Sequence, residues 1–528
     1  MTEHEAASPG RPGRFAPRAA PPAVAATGAA PAAKGLAFVL GAVALYSALH
    51  ALARLFASPV LGEDDVIDTV LAQDLLAGYA AFPRQPPLYD WLLWLTQQVT
   101  GPGIVGFLLI KYMALIATAG FLFLTARRIL RDPLFALLTV ESLALIYSIS
   151  WRYHEGFTHE VGAMVAVMAS LFFIVRFIED GRTSDAALLG LTAGLGLLTE
   201  PAYGVFLLST LAAALLQPAV RRALFRPALL LVPPIALAVA SPYLIWFLEQ
   251  PNASRIVANA LKPELGTRDA ILDAVRGPVA YLSPLMFILP LVFPRWLLTA
   301  GRDLVRAPNR SEAPDLEQLV LHGALIAFVL SVIAAAAFNV RGLAVHVLMP
   351  LYVTSVIWLF GVARRAAGED RHIARFTRLA VAIAVFAFGA RLANMYVLDP
   401  VCNLCRWGIP YTGLADELRS RGFDGTGTII AGHHEVGGNL RAIFPEARVV
   451  ARRYPIHTPS GTDLARGDVA VVWTPELTEK ELARHLAPDL ERLGKSAADA
   501  ETVTVPWRLW WRPTGWRSSA WKVVVVNR

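Results

Sequence analysis

Residues 104–126, IVGFLLIKYMALIATAGFLFLTA, form a long apolar run that is followed directly by Arg127 and Arg128. A helix of this length can cross a hydrocarbon layer about 30 Å thick. Positive residues beside such a run mark the cytoplasmic side of a membrane. The stretch therefore predicts a transmembrane helix whose C-terminal end faces the cytoplasm.

The same pattern recurs along most of the chain. Of 528 residues, 55% are hydrophobic and only 17% are charged, whereas about 25% of the residues in a soluble domain are charged. This composition predicts an α-helical polytopic protein of the bacterial inner membrane with about eleven transmembrane helices. The predicted spans are 36–56, 104–126, 134–150, 160–178, 186–199, 202–217, 228–248, 280–293, 319–338, 343–362 and 378–396.

Basic residues accompany every second predicted span, which places those ends and the N-terminus in the cytoplasm. The net charge of +7 therefore reflects topology, and it does not indicate a nucleic-acid partner. Residues 1–34 are rich in Ala, Pro and Gly, and we expect a disordered cytoplasmic tail. The first apolar run is too long for a cleaved signal peptide, so 35–398 is predicted to be the transmembrane domain.

An odd number of spans places residues 399–528 on the periplasmic side. Apolar segments such as Thr428–Ala431 and Val469–Trp473 alternate there with helical patterns, which predicts a soluble α/β domain. The two cysteines of the chain, Cys402 and Cys405, have a spacing that permits a short disulfide in an oxidising compartment. No Gly-rich phosphate loop precedes a helix in this region, which argues against a nucleotide site.

The predicted periplasmic loops hold the unusual residues. The first loop, 57–103, contains Asp64 and Asp65, and a short second loop reads WRYHEGFTHE over 151–160. Ionisable groups this close to hydrocarbon are costly and by default mark a functional cavity. The candidate substrate-binding residues are Tyr79, Arg84, Gln85, His154, Glu155, His159, Glu200, Arg255, Arg341 and His346.

These residue types suit a phosphate-containing substrate. A carboxylate beside an apolar wall has a raised pKa and can act as a general base, so Asp64 and Asp65 are the candidate catalytic pair. The guanidinium groups of Arg84, Arg255 and Arg341 could hold a phosphate through paired hydrogen bonds. Such a set favours a lipid-linked phosphate substrate over an ion channel.

Structural roles are the alternatives for several of these residues. The two aspartates could serve only to favour the first turn of a helix. His159 could be an ordinary buried polar residue, and Arg255 a solvated loop charge. Glu200 could cap the helix that begins at Pro201.

The first loop carries a characteristic series of short motifs, which are Asp64-Asp65, Gln73-Asp74-Leu75, Gly78-Tyr79, Gln85-Pro86-Pro87-Leu88-Tyr89 and Trp91. With these motifs the loop resembles that of membrane glycosyltransferases of the C superfamily. The branch it resembles contains protein O-mannosyltransferases, the aminoarabinose transferase acting on lipid A, and the lipid A galacturonosyltransferases. Weaker matches occur at Thr158-His159, at Leu195–Thr199, and from Arg341 through Leu348–Leu351.

The resemblance implies an inverting transfer of a sugar from a polyprenyl-phosphate donor to an envelope acceptor, with lipid A or another glycolipid first and protein second. Asp64 would deprotonate or position the acceptor hydroxyl, and Asp65 would help to place it or bind a divalent ion. The arginines would hold the leaving phosphate. The candidate metal ligands are Asp65, His154, Glu155 and His159, although their spacing matches no standard zinc motif.

The chain departs from the pattern of that family at three places. Asp65 stands where Glu is common, Glu200 where many relatives have Lys, and Glu155-Gly156 where Arg-Asp is expected. A flippase for lipid-linked sugars and an inactive membrane partner therefore remain alternatives. A transporter would be expected to show internal repeats and ionisable residues near the middle of the membrane, whereas these charges gather at one face.

Overall fold

The computed structural model describes residues 29–73, 75, 85–249, 265–339, 345–368, 370–398, 402, 405–451, 464, 467–508 and 516–528, without the side chains of 29–32 and 345–348. The membrane part is helical and covers the chain up to residue 398. Its helices before residue 250 are Ala29–Ala57, Asp64–Leu71, Leu88–Thr100, Ile104–Leu130, Pro133–Glu141, Tyr147–Ser150, His159–Asp180, Thr183–Leu197, Pro201–Leu216, Pro218–Leu224 and Val232–Glu249. Those after residue 264 are Thr267–Tyr281, Leu285–Val292, Trp296–Leu304, Leu316–Phe338, Val345–Tyr352, Ser355–Ala366 and Asp370–Ala393.

Six helices within the described ranges are long and apolar enough to cross a membrane, or seven if a pair bent by 116° counts as one span. That pair is Leu285–Val292 with Trp296–Leu304. The six are Ala33–Ala57, Ile104–Leu130, His159–Asp180, Pro227–Glu249, Leu316–Phe338 and Asp370–Leu398. A multi-pass membrane protein is therefore confirmed, while the count of eleven spans stays a prediction.

The other predicted spans coincide with shorter or broken helices. Thr183–Leu197 and Pro201–Leu216 are 15 and 16 residues long and are separated by the turn before Pro201. Their lengths correspond to roughly 22–24 Å at 1.5 Å per residue, which falls short of the hydrocarbon thickness. The predicted span 343–362 is divided between Val345–Tyr352 and Ser355–Ala366.

The helix His159–Asp180 lies at the centre of the membrane part. In its most apolar stretch of 18 residues, 83% of the residues are buried inside the protein. The corresponding shares are 17% for the first helix and 11% for Asp370–Leu398. It packs against Ile104–Leu130 and against Thr183–Leu197. Side chains at its first turn are therefore enclosed by protein rather than by lipid.

Residues 428–526 form a five-stranded mixed sheet with helices around it. The sheet order is β2-β1-β3-β5-β4, in which β1 pairs in parallel with β2 and β3, and β5 pairs antiparallel with β3 and β4. The strands are β1 Thr428–Ala431, β2 Arg448–Ala451, β3 Val469–Trp473, β4 Glu501–Pro506 and β5 Ser518–Val526. The accompanying helices are Tyr411–Ser420, His434–Ile443, Glu479–His485 and Ala487–Arg492. A disulfide joins Cys402 and Cys405 before this domain begins.

Candidate active site

The helix Asp64–Leu71 presents three aspartates to the interior. Asp64 and Asp65 lie in its first turn, and Asp68 follows one turn later. Residues four apart share a face of a helix, so Asp64 and Asp68 point to the same side and Asp65 to another. Asp65 and Asp68 are only 3% and 2% exposed, whereas Asp64 is half-buried.

Asp65 forms a buried ion pair with Lys111. The Nζ atom of Lys111 lies 2.8 Å from Oδ1 of Asp65 and also donates to the carbonyl oxygen of Glu155 at 2.7 Å. Both side chains are almost inaccessible to solvent. Removing one partner of such a pair leaves an uncompensated buried charge, which is strongly destabilising. The charge of Asp65 is therefore held by Lys111, and Asp65 is poorly suited to be a free base.

Asp64 lies in an environment that raises its pKa. Burial, and then the negative charges of Glu160, Asp68 and Asp65, raise the pKa of Asp64 to about 8, while His159 opposes the shift. A base whose pKa lies near the working pH transfers protons efficiently. The structure thus separates two adjacent aspartates into one suited to accept a proton and one paired with a lysine.

Several further acids gather around Asp64, and we call this group the acidic cluster. Nε2 of His159 lies 3.9 Å from a carboxylate oxygen of Asp68 and equally far from one of Asp90. Glu160, His159 and Asp64 all act electrostatically on Glu200. The members are Asp64, Asp68, Asp90, His159, Glu160 and Glu200, and all except Asp64 are at most 4% exposed.

Four separate chain segments supply the acidic cluster. His159 and Glu160 begin the central helix, and Asp90 lies in the first turn of Leu88–Thr100. The backbone N–H of Leu88 donates to the carbonyl of Leu198 at 2.9 Å, which ties that helix to the turn before Glu200. The first turns of three helices and the turn before a fourth therefore meet around one point.

A second group, the aromatic–basic cluster, surrounds His154, whose neighbour Glu155 accepts a hydrogen bond from Lys111 at its carbonyl oxygen. Nε2 and Nδ1 of His154 are hydrogen-bonded to the hydroxyls of Tyr46 and Tyr112 at 3.0 and 3.1 Å. The ring of His50 stacks on His154 at 3.8 Å, and a guanidinium nitrogen of Arg391 donates to the His154 carbonyl at 2.5 Å. Both ring nitrogens of His154 are thus occupied by tyrosines.

The structure does not assemble the predicted metal-ligand set. His154 is bonded to tyrosines, Asp65 to Lys111, and Glu155 meets Lys111 through its backbone carbonyl. Across the described residues, the group of three potential ligands that lies close together is Asp68, Asp90 and His159. Of the four predicted ligands, His159 alone belongs to it. Distant elements decide these contacts, so the spacing along the chain could not reveal them.

The other residues predicted to bind substrate lie partly inside and partly outside the described part of the chain. Tyr79, Arg84, Arg255 and Arg341 lie outside the described residues, as does the side chain of His346. Gln85 is half-buried just before the helix Leu88–Thr100. Glu200 precedes Pro201 but forms no side-chain cap on that helix, so its carboxylate is available to the acidic cluster.

The prediction from sequence overlooked Lys111, Asp68, Asp90, Glu160 and Arg391. A signal existed for Lys111 and Arg391, because both interrupt predicted apolar spans, where an ionisable residue is a functional candidate. A signal also existed for Asp68, because it follows Asp64 by four residues on a helix.

Two amide side chains fasten the helix Asp64–Leu71 to the C-terminal domain. Gln73 donates to the carbonyl of Val449 at 2.9 Å and accepts from its N–H at 2.8 Å, at the free edge of strand β2. Asn439 makes the same two kinds of bond with Leu61, at 3.2 and 2.8 Å. The residues just before and just after the helix are therefore each held by a paired amide contact.

A close backbone approach accompanies these bonds. A Cβ atom on Gly438 would lie 2.3 Å from the carbonyl oxygen of Val66, so a larger residue there would displace the helix. Val60 and Val70 also belong to the apolar core of the C-terminal domain. The C-terminal domain thus positions the helix that carries Asp64.

Comparison with known proteins identifies the fold. Residues 84–246 match the dolichyl-phosphate-mannose-protein mannosyltransferase family. The crystal structure of ArnT from Cupriavidus metallidurans bound to undecaprenyl phosphate superposes with a TM-score of 0.59 at 13% identity, over 93% of this chain and 98% of ArnT. The chain has the ArnT fold. The apo form of ArnT gives a TM-score of 0.58 at 14% identity over the same shares.

Two curated relatives cover most of the chain. It is 24% identical over 485 residues to the lipopolysaccharide core galacturonosyltransferase RgtB of Rhizobium johnstonii, over 90% of this chain and 95% of RgtB. It is 26% identical over 442 residues to RgtA of the same organism, over 82% of this chain and 85% of RgtA. These matches confirm the resemblance to membrane glycosyltransferases of the C superfamily that the first loop predicts.

Proposed function

We propose that the protein is an inverting glycosyltransferase that moves a sugar from a polyprenyl-phosphate donor to lipid A or another glycolipid at the periplasmic face of the inner membrane. The class of enzyme agrees with the two galacturonosyltransferase relatives. The observation that carries the proposal is the pairing of Asp65 with Lys111 beside an Asp64 whose pKa is raised to about 8.

Asp64 accepts the proton of the acceptor hydroxyl in this mechanism. The acceptor oxygen attacks the anomeric carbon as the bond from that carbon to the phosphate oxygen breaks, and the lipid phosphate leaves with the electron pair. A phosphate monoester needs little acid assistance as it leaves, but its growing charge must be stabilised. We assign that task to Arg84, Arg255 and Arg341, following the prediction from sequence.

Lys111 and the C-terminal domain position Asp64. The ion pair of Lys111 with Asp65 holds the first turn of the helix from one side, and Gln73 and Asn439 hold its flanking residues from the other. A base must lie within hydrogen-bond reach of the proton it removes, so small displacements of this helix reduce the rate.

The proposal includes the topology predicted from sequence. Residues 1–34 form the cytoplasmic tail, 35–398 the transmembrane domain with eleven spans, and 399–528 the periplasmic domain. Basic residues at the predicted cytoplasmic helix ends support this orientation. Among them, Arg128 pairs with Glu179 at 2.6 Å and Arg364 pairs with Glu317 at 2.7 Å. The Cys402–Cys405 disulfide suits an oxidising compartment.

The matched crystal structure of ArnT is bound to undecaprenyl phosphate, which supports a polyprenyl-phosphate donor for this protein. RgtA and RgtB are galacturonosyltransferases of the lipopolysaccharide core, which supports a glycolipid acceptor for this protein. A protein acceptor is the second candidate, because residues 84–246 match a family of protein mannosyltransferases.

The test compares envelope lipids from cells that carry the wild-type protein, Asp64→Asn or no protein, using mass spectrometry. We expect a sugar-sized mass on the acceptor lipid with the wild type and its loss in the other two strains. Asp416→Asn, a change at an exposed carboxylate of the C-terminal domain, is the matched control and should keep the modification.

Two outcomes contradict a transferase activity, and a third changes only the acceptor. A lipid-linked sugar pool that accumulates while the acceptor mass is unaffected by Asp64→Asn indicates a flippase. Lipids and glycoproteins that are identical in all strains indicate a protein without transferase activity. A sugar lost from envelope proteins and not from lipids replaces the lipid acceptor by the protein acceptor.

A further inference from the structure

Asp68, Asp90 and His159 form a compact and almost fully buried group. One potential ligand atom from each lies within 4.8 Å of the others, and the side chains are only 1% to 3% exposed. They come from three helices, at the first turn of two and the second turn of one. Their convergence is therefore a property of the fold and not of one acidic stretch.

One polar atom on each of these three side chains lacks a hydrogen-bond partner among the described residues. Oδ2 of Asp68, Oδ1 of Asp90 and Nδ1 of His159 are buried without a hydrogen bond. The closest approaches, from Nε2 of His159 to each carboxylate, are 3.9 Å, which is too long for a hydrogen bond. Buried polar groups are normally satisfied, so an unpaired polar atom on each of three neighbouring side chains calls for a ligand.

The charge of the surroundings indicates the sign of that ligand. The cations near these acids in the described part of the chain are Lys111, Arg54 and His159. Lys111 is matched by Asp65, and Arg54 donates to the backbone carbonyls of Ser58 and Val60. The carboxyls around them in the described residues number six, which favours a cation as the ligand. Asp64 is half-buried, and the buried ones are Asp65, Asp68, Asp90, Glu160 and Glu200.

We propose that Asp68, Asp90 and His159 bind one divalent metal ion of the kind that accepts both carboxylate and imidazole ligands, such as Mn²⁺ or Zn²⁺. A point between atoms spaced 3.9 to 4.8 Å apart lies roughly 2.3–2.5 Å from each, close to the 2.0–2.2 Å of metal–ligand bonds. Two carboxylates and one imidazole leave further positions for water or a substrate oxygen. The role of the ion in transfer rests on the proposed function, whereas its binding does not.

The test measures metal binding by purified full-length protein in detergent, with any affinity tag removed. Protein stripped with a chelator is titrated with Mn²⁺, and bound ion is counted by electron paramagnetic resonance and, after desalting, by elemental analysis; Zn²⁺ is the second probe. We expect about one ion per chain for the wild type, and at least tenfold weaker binding for Asp90→Asn and His159→Gln. Asp416→Asn is the matched surface control and should bind as the wild type does.

Thermal unfolding distinguishes a lost site from a lost fold. An ion that binds only the folded protein raises its melting temperature, so Mn²⁺ should stabilise the wild type and not a folded His159→Gln protein. The inference is overturned if the wild type retains neither ion, in which case a protonated His159 bridges the two carboxylates, or if His159→Gln binds and is stabilised equally. A wild type that transfers sugar but binds neither ion contradicts this inference alone, and one that binds metal without transferring sugar contradicts the proposed function alone.

Discussion

The acidic cluster and the aromatic–basic cluster differ in how their central histidines, His159 and His154, are hydrogen-bonded. Both ring nitrogens of His154 are hydrogen-bonded to tyrosines, although both ring nitrogens of His50, which stacks on it, are buried without a partner among the described residues. In the acidic cluster, Nδ1 of His159 and oxygens of Asp68 and Asp90 are buried without a hydrogen bond from the described residues. A histidine held at both nitrogens is typical of a structural support, and unpaired carboxylate oxygens beside a histidine are typical of a ligand-binding site.

Asp64→Asn should have the largest effect, because it removes the proposed base from the acidic cluster. General-base catalysis contributes about 10²- to 10⁴-fold, so the transfer rate should fall by that factor while the protein stays folded. The rate is measured with reconstituted protein and a labelled polyprenyl-phosphate sugar. A variant that retains a tenth or more of the wild-type rate excludes Asp64 as the base.

Lys111→Met should have the next largest effect, and on stability as well as rate. It leaves the carboxylate of Asp65 buried without its partner, at a cost of about 3–5 kcal/mol. Thermal unfolding in detergent should show a lowered melting temperature. The double variant Lys111→Met with Asp65→Asn should recover much of the loss, and failure to recover it would show that the ion pair is not the cause.

Glu160→Gln should change the pH dependence of transfer. Asp64 is inactive as a base when protonated, so the wild-type rate should rise as the pH passes about 8. Glu160 is the strongest of the charges that raise this pKa, ahead of Asp68 and Asp65, and His159 opposes them. Its removal lowers the pKa of Asp64, so the rising limb should move to lower pH.

The lowered pKa of Asp64 in Glu160→Gln can be detected at a single pH. At about pH 6.5 the rate of Glu160→Gln, relative to its own plateau, should be several-fold higher than that of the wild type. A limb that stays in place in Glu160→Gln assigns it to a group other than Asp64.

Tyr46→Phe should have the smallest effect, because it changes only the aromatic–basic cluster. It removes one hydrogen bond to His154, worth about 0.5–1.5 kcal/mol. We expect a small drop in melting temperature and no change in the position of the pH limb. A shifted limb would show that the two clusters are coupled through Lys111 and would remove the distinction between them.

Much of the membrane part could be predicted because apolar length is a local property. The apolar run at 104–126 coincides with the helix Ile104–Leu130, and the run at 319–338 with Leu316–Phe338. The strands at Thr428–Ala431 and Val469–Trp473 have the predicted bounds, since they are buried on both faces and continuously apolar. Helices interrupted by proline or by short turns, such as those around Pro201, were predicted in place but are too short to be assigned as spans from length alone.

The amino-acid sequence by itself determined a multi-pass membrane protein, its resemblance to a glycosyltransferase family and the position of Asp64, because composition, run length and short motifs are local. Tertiary structure alone decided that Asp65 pairs with Lys111, 46 residues away, and that Asp68 and Asp90 meet His159. Those contacts join separate helices, and no spacing along a chain specifies which helix ends will meet. The different environments of two neighbouring aspartates are therefore a consequence of packing.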